Sequence, residues 1–166
     1  ESVKDRAALF IVKDELKRKL ISKGGTIVEG TAGNTGIGLG VVCKEYDLKL
    51  KIVIPKTQSI EKKETLKKLG AELIEVEAVP YSDPKNYIKQ SQQLAKDLLK
   101  ENNHGVLWAN QFDNLVNTDA HIKTTSEEIW TQTAGKIDGF ICAVGTGGTL
   151  AGVSIGLKEK NRNIKI

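Results

Sequence analysis

Two short segments rich in glycine and threonine have the composition of anion-binding loops. TAGNTG occupies residues 31–36 and GTGGT occupies residues 145–149, and each follows an apolar run and precedes an apolar segment with helical periodicity. A strand that turns through glycines into a helix directs several backbone N–H groups and the positive end of the helix dipole at one point. The two turns therefore predict binding sites for anions, and a ligand with a phosphate and a carboxylate would use both.

A lysine near the beginning of the chain is a further candidate for chemistry. SVKDR places Lys4 at the start of a predicted helix, where the positive end of the dipole disfavours an ammonium. A lysine with a lowered pKa is the side chain that forms covalent bonds with carbonyl compounds. Lys4 is therefore a candidate nucleophile, with an ordinary surface lysine as the alternative.

Two common phosphate-binding motifs do not fit the glycine segments. A P-loop requires GxxxxGK followed by Ser or Thr, and neither segment has a lysine at that position. A dinucleotide fingerprint requires GxGxxG with an acidic residue about 20 positions later. Counting from Gly145, the third glycine position holds Leu150, and Lys165 stands where the acidic residue should be. A small phosphate ligand at GTGGT remains, with a tight helix entry that binds nothing as the alternative.

The candidate residues lie in a predicted alternation of strands and helices. Apolar and β-branched runs predict strands at TIVEG, LKIVIP, AELIEV, GVLWAN, 137–144 and from NIKI onward. Apolar residues at helical spacing predict a first helix from Ser2 to Gly24, with Leu9, Val12, Leu16 and Leu20. Further helices are predicted at 37–46, up to Gly70, at 118–130 and at 150–159. A long amphipathic helix is predicted before the strand GVLWAN, with a buried stripe of Tyr87, Ile88, Leu94, Leu98 and Leu99. This order predicts an α/β protein with a mostly parallel sheet covered on both faces.

Composition and charge limit the class of protein. The chain has 166 residues, with 25 basic and 21 acidic side chains and a net charge of +4. Acidic residues interleave with the lysine runs and aromatic residues do not, which favours solvated helix faces over a nucleic-acid surface. The two cysteines lie in apolar segments and the two histidines are isolated, so neither a disulfide nor a metal site is predicted. Polar residues and glycines within 137–157 favour a buried strand, loop and helix over a membrane span.

Several segments together identify a family. They are SVKDR at 2–6, EGTAGNTGIGLG at 29–40, the segment 54–73, NQFDN at 110–114, TTSEEIW at 124–130 and GTGGTLAGV at 145–153. In order and spacing they resemble the cysteine synthases (O-acetylserine sulfhydrylases). The TAGNTG turn, the TQS segment and the extended loop before Tyr87 are most similar to a fungal branch associated with mitochondria. The resemblance covers essentially the whole chain and implies the tryptophan synthase β-like fold of pyridoxal-phosphate enzymes.

The resemblance implies a role for each candidate residue. Lys4 would bind pyridoxal phosphate covalently and would remove the α-proton of the substrate. Asn34 would hydrogen-bond the phenolic oxygen of the cofactor, and its phosphate would be bound by Gly145, Thr146, Gly147, Gly148 and Thr149. The substrate carboxylate would be held by Thr31, Gly33, Asn34, Thr35 and Gln111. The implied reaction is a β-replacement, in which acetate leaves O-acetylserine and sulfide takes its place to give cysteine.

The chain departs from the family pattern at particular positions. Ala32 stands where most cysteine synthases have serine, which leaves the acyl donor open, and Gln58 stands where the bacterial enzymes usually have methionine. Family members are considerably longer. We therefore expect a fragment, with residues 1–113 as the smaller lobe, 114–166 as the first part of an incomplete larger lobe, and the residue facing the pyridine nitrogen outside the chain.

The family also sets expectations beyond the reaction itself. It implies a homodimer, and the fungal branch implies a mitochondrial location, with a cytoplasmic location as the alternative. Two other functions remain open. One is a catalytically silent or regulatory protein of the same fold, favoured by Ala32 and by the short length. The other is a cystathionine β-synthase-like activity, since those enzymes share the asparagine loop at residues 31–36.

Overall fold

The structure, a computed structural model, describes residues 2–166 and divides into two compact units. One unit extends to Asn110, and the other comprises Gln111–Ile166. The first contains all four strands and four helices, and the second is helical. The predicted lobes 1–113 and 114–166 concern the whole protein and stay a prediction.

A parallel sheet forms the core of the first unit. Its strands are β1 (Thr26–Gly30), β2 (Lys49–Pro55), β3 (Ala71–Val76) and β4 (Val106–Trp108). They lie in the order β3-β2-β1-β4, and each neighbouring pair is parallel. Every residue of β1 is buried, so both faces of this central strand are covered. The predicted α/β architecture with a covered parallel sheet is confirmed.

The helices of the first unit differ from the prediction in their ends and buried faces. They are α1 (Lys4–Lys17), α2 (Asn34–Glu45), α3 (Ile60–Lys68) and α4 (Tyr87–Leu99). α1 ends at Lys17, so the prediction that this helix continues through Leu20 to Gly24 was wrong. α2 begins at Asn34, earlier than the predicted residue 37, because the TAGNTG turn itself provides the first helical turn.

The buried face of α4 consists of small residues instead of the predicted leucine stripe. Ser91 and Ala95 are buried, whereas Leu99 is 59% exposed. The reason lies in β1, because a Cβ added at Gly30 would stand 2.7 Å from both Ile88 Cα and Ser91 Oγ. The helix therefore approaches the strand through its small side chains, and the larger ones flank this contact.

The second unit is built from helices that pack through glycines. They are α5 (Val116–Ala120), a π-helical turn (His121–Thr125), α6 (Ser126–Gln132) and α7 (Gly148–Lys160). Gly148, Gly152 and Gly156 recur at every fourth position of α7, and all three are buried. A side chain at Gly152 would meet Thr118 O and His121 Cβ, at 2.5 and 2.6 Å. The GxxxG spacing thus serves close packing between helices of this unit.

Two predicted strands of the second unit do not form. Residues 137–144 and 163–166 are joined by a single bridge between Gly139 and Lys165. An apolar run becomes a strand only when a neighbour satisfies its backbone hydrogen bonds along its length, and one bridge does not do so. Ile141 is accordingly 94% exposed, although Ile137 and Phe140 pack against the core of Val153, Leu157 and Ile164.

The remaining expectations concern cysteines, metals and membranes. Cys43 is buried, whereas Cys142 is only half-buried, and neither forms a disulfide. Burial raises the pKa of the Cys43 thiol to about 12. Residues 2–166 contain no grouping of at least three His, Cys, Asp or Glu side chains that could hold a metal ion. No helix within this described range has the length and hydropathy that crossing a membrane requires.

Candidate functional site

Lys4 is the first residue of α1 and is held by a hydrogen-bonded turn. Its backbone N–H donates to Ser2 Oγ at 3.2 Å, and the Ser2 N–H donates to Asp5 Oδ2 at 2.9 Å. Burial lowers the pKa of the Lys4 ammonium below its ordinary value, since removal of water disfavours the charged form. The direction of this pKa shift agrees with the sequence-based expectation, and its cause is desolvation.

The turn that carries Lys4 packs against α2. A Cβ added at Gly38 would lie 3.0 Å from Asp5 Oδ1 and 3.3 Å from Ala8 Cβ. The first turn of α1 therefore lies directly on the early turns of α2. This contact positions Lys4 beside the helix that the TAGNTG segment opens.

The TAGNTG segment is a tight turn at the carboxyl end of β1. Thr31 N donates to Val53 O, and Thr31 Oγ1 accepts a hydrogen bond from Gly33 N at 3.2 Å. Thr31 and Thr35 are buried, whereas Asn34 is exposed. Within the described residues no side chain caps the start of α2. The turn thus combines an exposed amide side chain with the positive end of a helix.

A recess runs along α2 and the last part of α3, and one end of it lies at the start of α2. It has a volume of about 460 Å³ and is lined in part by Ser2, Asn34, Ile37 and Thr65. A larger cavity of about 730 Å³ lies elsewhere, beside Thr26, Lys49 and other residues near the amino ends of the strands. Ligands of parallel sheets bind outside the carboxyl ends of the strands, so we favour the smaller recess as part of the site.

The strand order marks the same edge of the sheet. The chain passes from β1 through β2 to β3 on one side, then returns to β4 on the other side of β1. Such a reversal creates a crevice at the carboxyl ends of β1 and β4. Asn110 follows β4 there with a positive φ of 45°, and its Oδ1 is buried and has no hydrogen-bond partner among residues 2–166. Sequence analysis missed Asn110, because backbone strain has no signature in residue spacing.

In the second unit, the GTGGT segment forms an open loop before α7. Gly147 precedes the helix in a left-handed conformation, with φ of 86°, and no described side chain caps the helix start. A Cβ added at Gly145 or Gly147 would have no atom of the described chain within 4 Å. The loop therefore presents backbone N–H groups to an open space, where a side chain would stand in the way.

The Asn117 side chain forms hydrogen bonds with this loop and with Gln111. Its Nδ2 donates to Gln111 O at 2.9 Å and to Thr146 Oγ1 at 3.0 Å. Gly148 N also donates to Thr146 Oγ1, at 3.3 Å. Since Thr146 Oγ1 already accepts from two donors, its own hydroxyl hydrogen is left to donate to a ligand. The Asn117 amide occupies the space that a side chain at Gly148 would need, with its Cγ 2.5 Å from the added Cβ.

His121 lies behind the other threonine of the loop. This histidine is 1% exposed, and its Nε2 is 3.2 Å from Thr149 Oγ1. Sequence analysis treated His121 as isolated, and Asn117 was not singled out at all. Neither had a local signal, because their partners stand about thirty positions away in the sequence, at Thr146 and Thr149.

Each unit thus gathers its own share of the predicted site residues. The first unit brings together Lys4 and the turn with Thr31, Gly33, Asn34 and Thr35. The second contains Gln111 and the loop Gly145, Thr146, Gly147, Gly148 and Thr149, with Asn117 joining Gln111 to Thr146.

The pattern of the family described as "Pyridoxal-phosphate dependent enzyme" matches residues 1–166. The chain belongs to this family. The cofactor of these pyridoxal-phosphate enzymes offers a phosphate, a phenolic oxygen and an aldehyde, and the chain has residue types suited to each.

Several similar proteins are cysteine synthases. Cysteine synthase 1 of Neurospora crassa is 54% identical over 95% of this chain, which covers 41% of that protein. A Saccharomyces cerevisiae relative, which its name provisionally calls a mitochondrial cysteine synthase, is 40% identical over 96% of the chain and 41% of that protein. The crystal structure of an Entamoeba histolytica cysteine synthase is similar with a TM-score of 0.85 at 39% identity, over 99% of this chain and 47% of that one.

These comparisons confirm the resemblance to cysteine synthases and the fold of their pyridoxal-phosphate enzymes. The chain spans less than half the length of these three relatives. The structure supplies an independent test of whether the cofactor fits. A phosphate group fits the GTGGT loop for three reasons. The start of α7 is uncapped, the space beside Gly145 and Gly147 is open, and the Thr146 hydroxyl can donate a hydrogen bond. The lowered pKa of Lys4 suits attack on an aldehyde. The residues present therefore fit pyridoxal phosphate.

Proposed function

We propose that the protein carrying this chain is a cysteine synthase that uses pyridoxal phosphate to convert O-acetylserine and sulfide into L-cysteine and acetate. The observation that carries the proposal is the open, uncapped GTGGT loop at the start of α7, in a chain of this enzyme family. The name shared by its relatives supports the choice of substrates.

Lys4 is the proposed catalytic residue. Its Nζ attaches the cofactor and, once released, accepts the α-proton of the amino-acid substrate. Only the neutral amine can do either, and the burial that lowers the pKa of Lys4 favours that form. The chemistry that bound pyridoxal phosphate supplies is delocalisation of the electron pair left at the α-carbon. At the β-carbon, the bond to acetate breaks and a bond to the sulfur of hydrosulfide forms, and the proton held by Lys4 Nζ would return to the α-carbon to complete cysteine.

The asparagine turn and Gln111 are the proposed substrate-binding residues. Thr31, Gly33, Thr35 and Gln111 would hold the substrate carboxylate, and Asn34 would contact both this carboxylate and the phenolic oxygen of the cofactor. The uncapped start of α2 supports an anion there, because its dipole and backbone N–H groups favour negative charge. Fixing the carboxylate orients the α-proton toward Lys4 Nζ, and such orientation lowers the barrier of the reaction.

The phosphate of the cofactor is assigned to Gly145, Thr146, Gly147, Gly148 and Thr149. Thr146 supports this role because two neighbouring N–H donors leave its hydroxyl as a donor. A dianionic phosphate is matched by such hydroxyls and by helix N–H groups.

The attachment of the cofactor tests the proposal. The complete protein incubated with pyridoxal phosphate should absorb in the visible range, and borohydride should fix the cofactor to the peptide that contains Lys4. Lys4→Ala should abolish both signals, whereas Lys13→Ala, an exposed position on the same helix, should leave them unchanged. Fixation at another lysine would refute the assignment of Lys4.

Product analysis tests the reaction. We expect cysteine and acetate from O-acetylserine with sulfide, at a higher rate than cystathionine from serine with homocysteine. A preference for the second pair would indicate a cystathionine β-synthase-like enzyme. If the cofactor attaches to Lys4 and neither pair reacts, the protein is a catalytically silent member of the family.

We further propose a homodimer located in mitochondria. The location is supported by the resemblance to the fungal branch and by the name of the Saccharomyces cerevisiae relative. Light scattering of the purified complete protein and microscopy of a tagged copy test these two points. A monomer, or a signal spread through the cytoplasm, would contradict them.

A further inference from the structure

A buried histidine links two threonines behind the GTGGT loop. His121 Nε2 is 3.2 Å from Thr149 Oγ1, and His121 Nδ1 is 2.8 Å from Thr125 Oγ1. The ring is almost fully excluded from solvent, with 1% exposure. Both ring nitrogens therefore have hydroxyl neighbours, and one of those hydroxyls belongs to the loop assigned to the cofactor phosphate.

Thr125, the last residue of the π-helical turn, has an unusual partner. On either side of it, the Thr124 and Ser126 hydroxyls donate to the carbonyl oxygens of Ala120 and Ile122, both at 2.6 Å. These bonds are the ordinary ones for hydroxyl side chains in helices. The Thr125 hydroxyl instead meets His121 Nδ1. Residues four positions apart lie on one face of a helix, so the Thr125 hydroxyl can reach the His121 imidazole on the preceding turn.

A glycine of α7 lets the imidazole reach the loop. A Cβ added at Gly152 would stand 2.6 Å from His121 Cβ. Any side chain at position 152 would thus push α7 away from the π-helical turn, and Thr149 would move with it. The contact between His121 and Thr149 depends on this close packing.

The position of the imidazole proton decides what Thr149 can do. In a neutral imidazole one nitrogen donates and the other accepts. If Nε2 lacked a proton, the Thr149 hydroxyl would donate to it and would present only lone pairs to a phosphate. If Nε2 carries the proton, Thr149 Oγ1 accepts from it and can donate its own hydrogen to the anion. Thr146 is already in that second arrangement, since Asn117 Nδ2 and Gly148 N donate to its oxygen.

We propose that His121 is a positioning residue whose Nε2–H donates to Thr149 Oγ1, so that the Thr149 hydroxyl donates to the cofactor phosphate. The Thr125 hydroxyl donates to Nδ1 and thereby keeps the proton on Nε2. Both threonines of the loop are then held as donors by buried partners, Thr146 by Asn117 and Thr149 by His121. This inference rests on the proposed role of GTGGT as the phosphate loop.

A comparison of pyridoxal phosphate with pyridoxal isolates the phosphate contact, because both ligands share the ring and the aldehyde. We would measure the dissociation constants of the two ligands for the complete protein and its variants. His121→Leu should reduce the preference for pyridoxal phosphate about tenfold, the effect of losing one hydrogen bond to a charged group. His121→Gln, which retains an N–H donor, should recover part of the preference.

Neighbouring threonines provide a matched pair. Thr125→Val should reduce the preference in the same direction as His121→Leu, whereas Thr124→Val should leave it unchanged, since the Thr124 hydroxyl bonds only within its helix. Equal weakening of both ligands in His121→Leu and Thr125→Val would mean a merely structural role and would overturn the inference. If the unsubstituted protein itself shows no preference for the phosphorylated ligand, the phosphate-loop assignment fails instead.

Nitrogen NMR of histidine-labelled protein tests the tautomer without relying on the folding of any His121 variant. In the complex with pyridoxal phosphate we expect a protonated Nε2 and an unprotonated Nδ1 for His121. Thr125→Val, which removes the donor to Nδ1, should allow the proton to redistribute between the two nitrogens. An unprotonated Nε2, or a protonated Nδ1, in the unsubstituted complex would refute the proposal.

Discussion

At the scale of single residues, the burial of Lys4 has a measurable consequence. Because desolvation disfavours the ammonium, the pKa of Lys4 lies below its ordinary value, and the side chain loses its proton at a lower pH than an exposed lysine does. In cofactor-free protein, acylation of Lys4 should therefore reach its midpoint at lower pH than acylation of the lysine side chain in an unstructured model peptide. Competitive labelling with acetic anhydride, read by mass spectrometry over the alkaline range, measures both. Coinciding midpoints would contradict this expectation.

Loss of the Asn117 side chain should reduce both the stability of the second unit and the affinity for the cofactor. Asn117→Ala removes the hydrogen bonds to Gln111 O and Thr146 Oγ1 and leaves a buried carbonyl oxygen without this donor. The free energy of unfolding should fall by about 1–3 kcal/mol, and the affinity for pyridoxal phosphate should fall with it. Chemical denaturation and cofactor titration give the two values. Asn163→Ala, at an exposed position, should change neither, and equal behaviour of the two variants would show that Asn117 does not support the loop.

At the scale of secondary-structure elements, the contact between α4 and β1 is the most restrictive packing of the first unit. Gly30→Ala would place a methyl group 2.7 Å from Ile88 Cα, Ser91 Oγ and Tyr87 O, and two of these atoms belong to the backbone and cannot turn aside. Overpacking of this kind costs about 1–3 kcal/mol. Denaturant unfolding should show this loss for Gly30→Ala, but not for Gly139→Ala, where the nearest atom would be 3.4 Å away. A stable Gly30→Ala variant would mean that α4 shifts without cost.

The sequence predicted which elements exist better than it predicted how they pack. TIVEG and AELIEV form strands with the predicted limits, because each is bounded by glycine or by a turn. The run 137–144 is also largely apolar, yet it forms one bridge only, since a strand depends on neighbours as well as on its own residues. The leucines of α4 flank its contact with β1, because the helix packs so closely on Gly30 that only small side chains fit between them. Helical periodicity does not reveal this tertiary effect.

In the candidate site, too, residues with a local sequence signal were predicted, and residues that depend on long-range contacts were not. The glycine turns and Lys4 have local signals, since their residue types and neighbours along the chain indicate anion binding and a nucleophile. Asn117 contacts Thr146, and His121 contacts Thr149. In both pairs the two residues are separated in the sequence by at least one helix and a loop. Sequence spacing within one segment carries no trace of such contacts. The π-helical turn His121–Thr125 was likewise predicted as ordinary helix, because its residues have no distinctive propensity.

At the scale of the whole molecule, the proposed anchors of the cofactor are divided between the two units. Lys4 and Asn34 belong to the first, and the phosphate loop belongs to the second. A ligand that binds the folded protein alone stabilises it, by about 2.7 kcal/mol at 100 times its dissociation constant. We therefore expect pyridoxal phosphate to raise the midpoint of thermal unfolding of the complete protein, and Lys4→Ala to reduce this gain without abolishing it, since the phosphate contacts remain.

Hydrogen exchange can separate these anchors, because it reports the stability of each segment. Inorganic phosphate reproduces only the phosphate of the cofactor and two donors in the GTGGT loop are threonine hydroxyls, so it should slow exchange more at the start of α7 than at the starts of α1 and α2. Pyridoxal phosphate should slow exchange in all three segments. In Lys4→Ala the protection of α7 should persist while that of α1 diminishes. Protection by pyridoxal phosphate confined to the first unit would contradict the assignment of GTGGT, and protection confined to the second would contradict the assignment of Lys4 and Asn34.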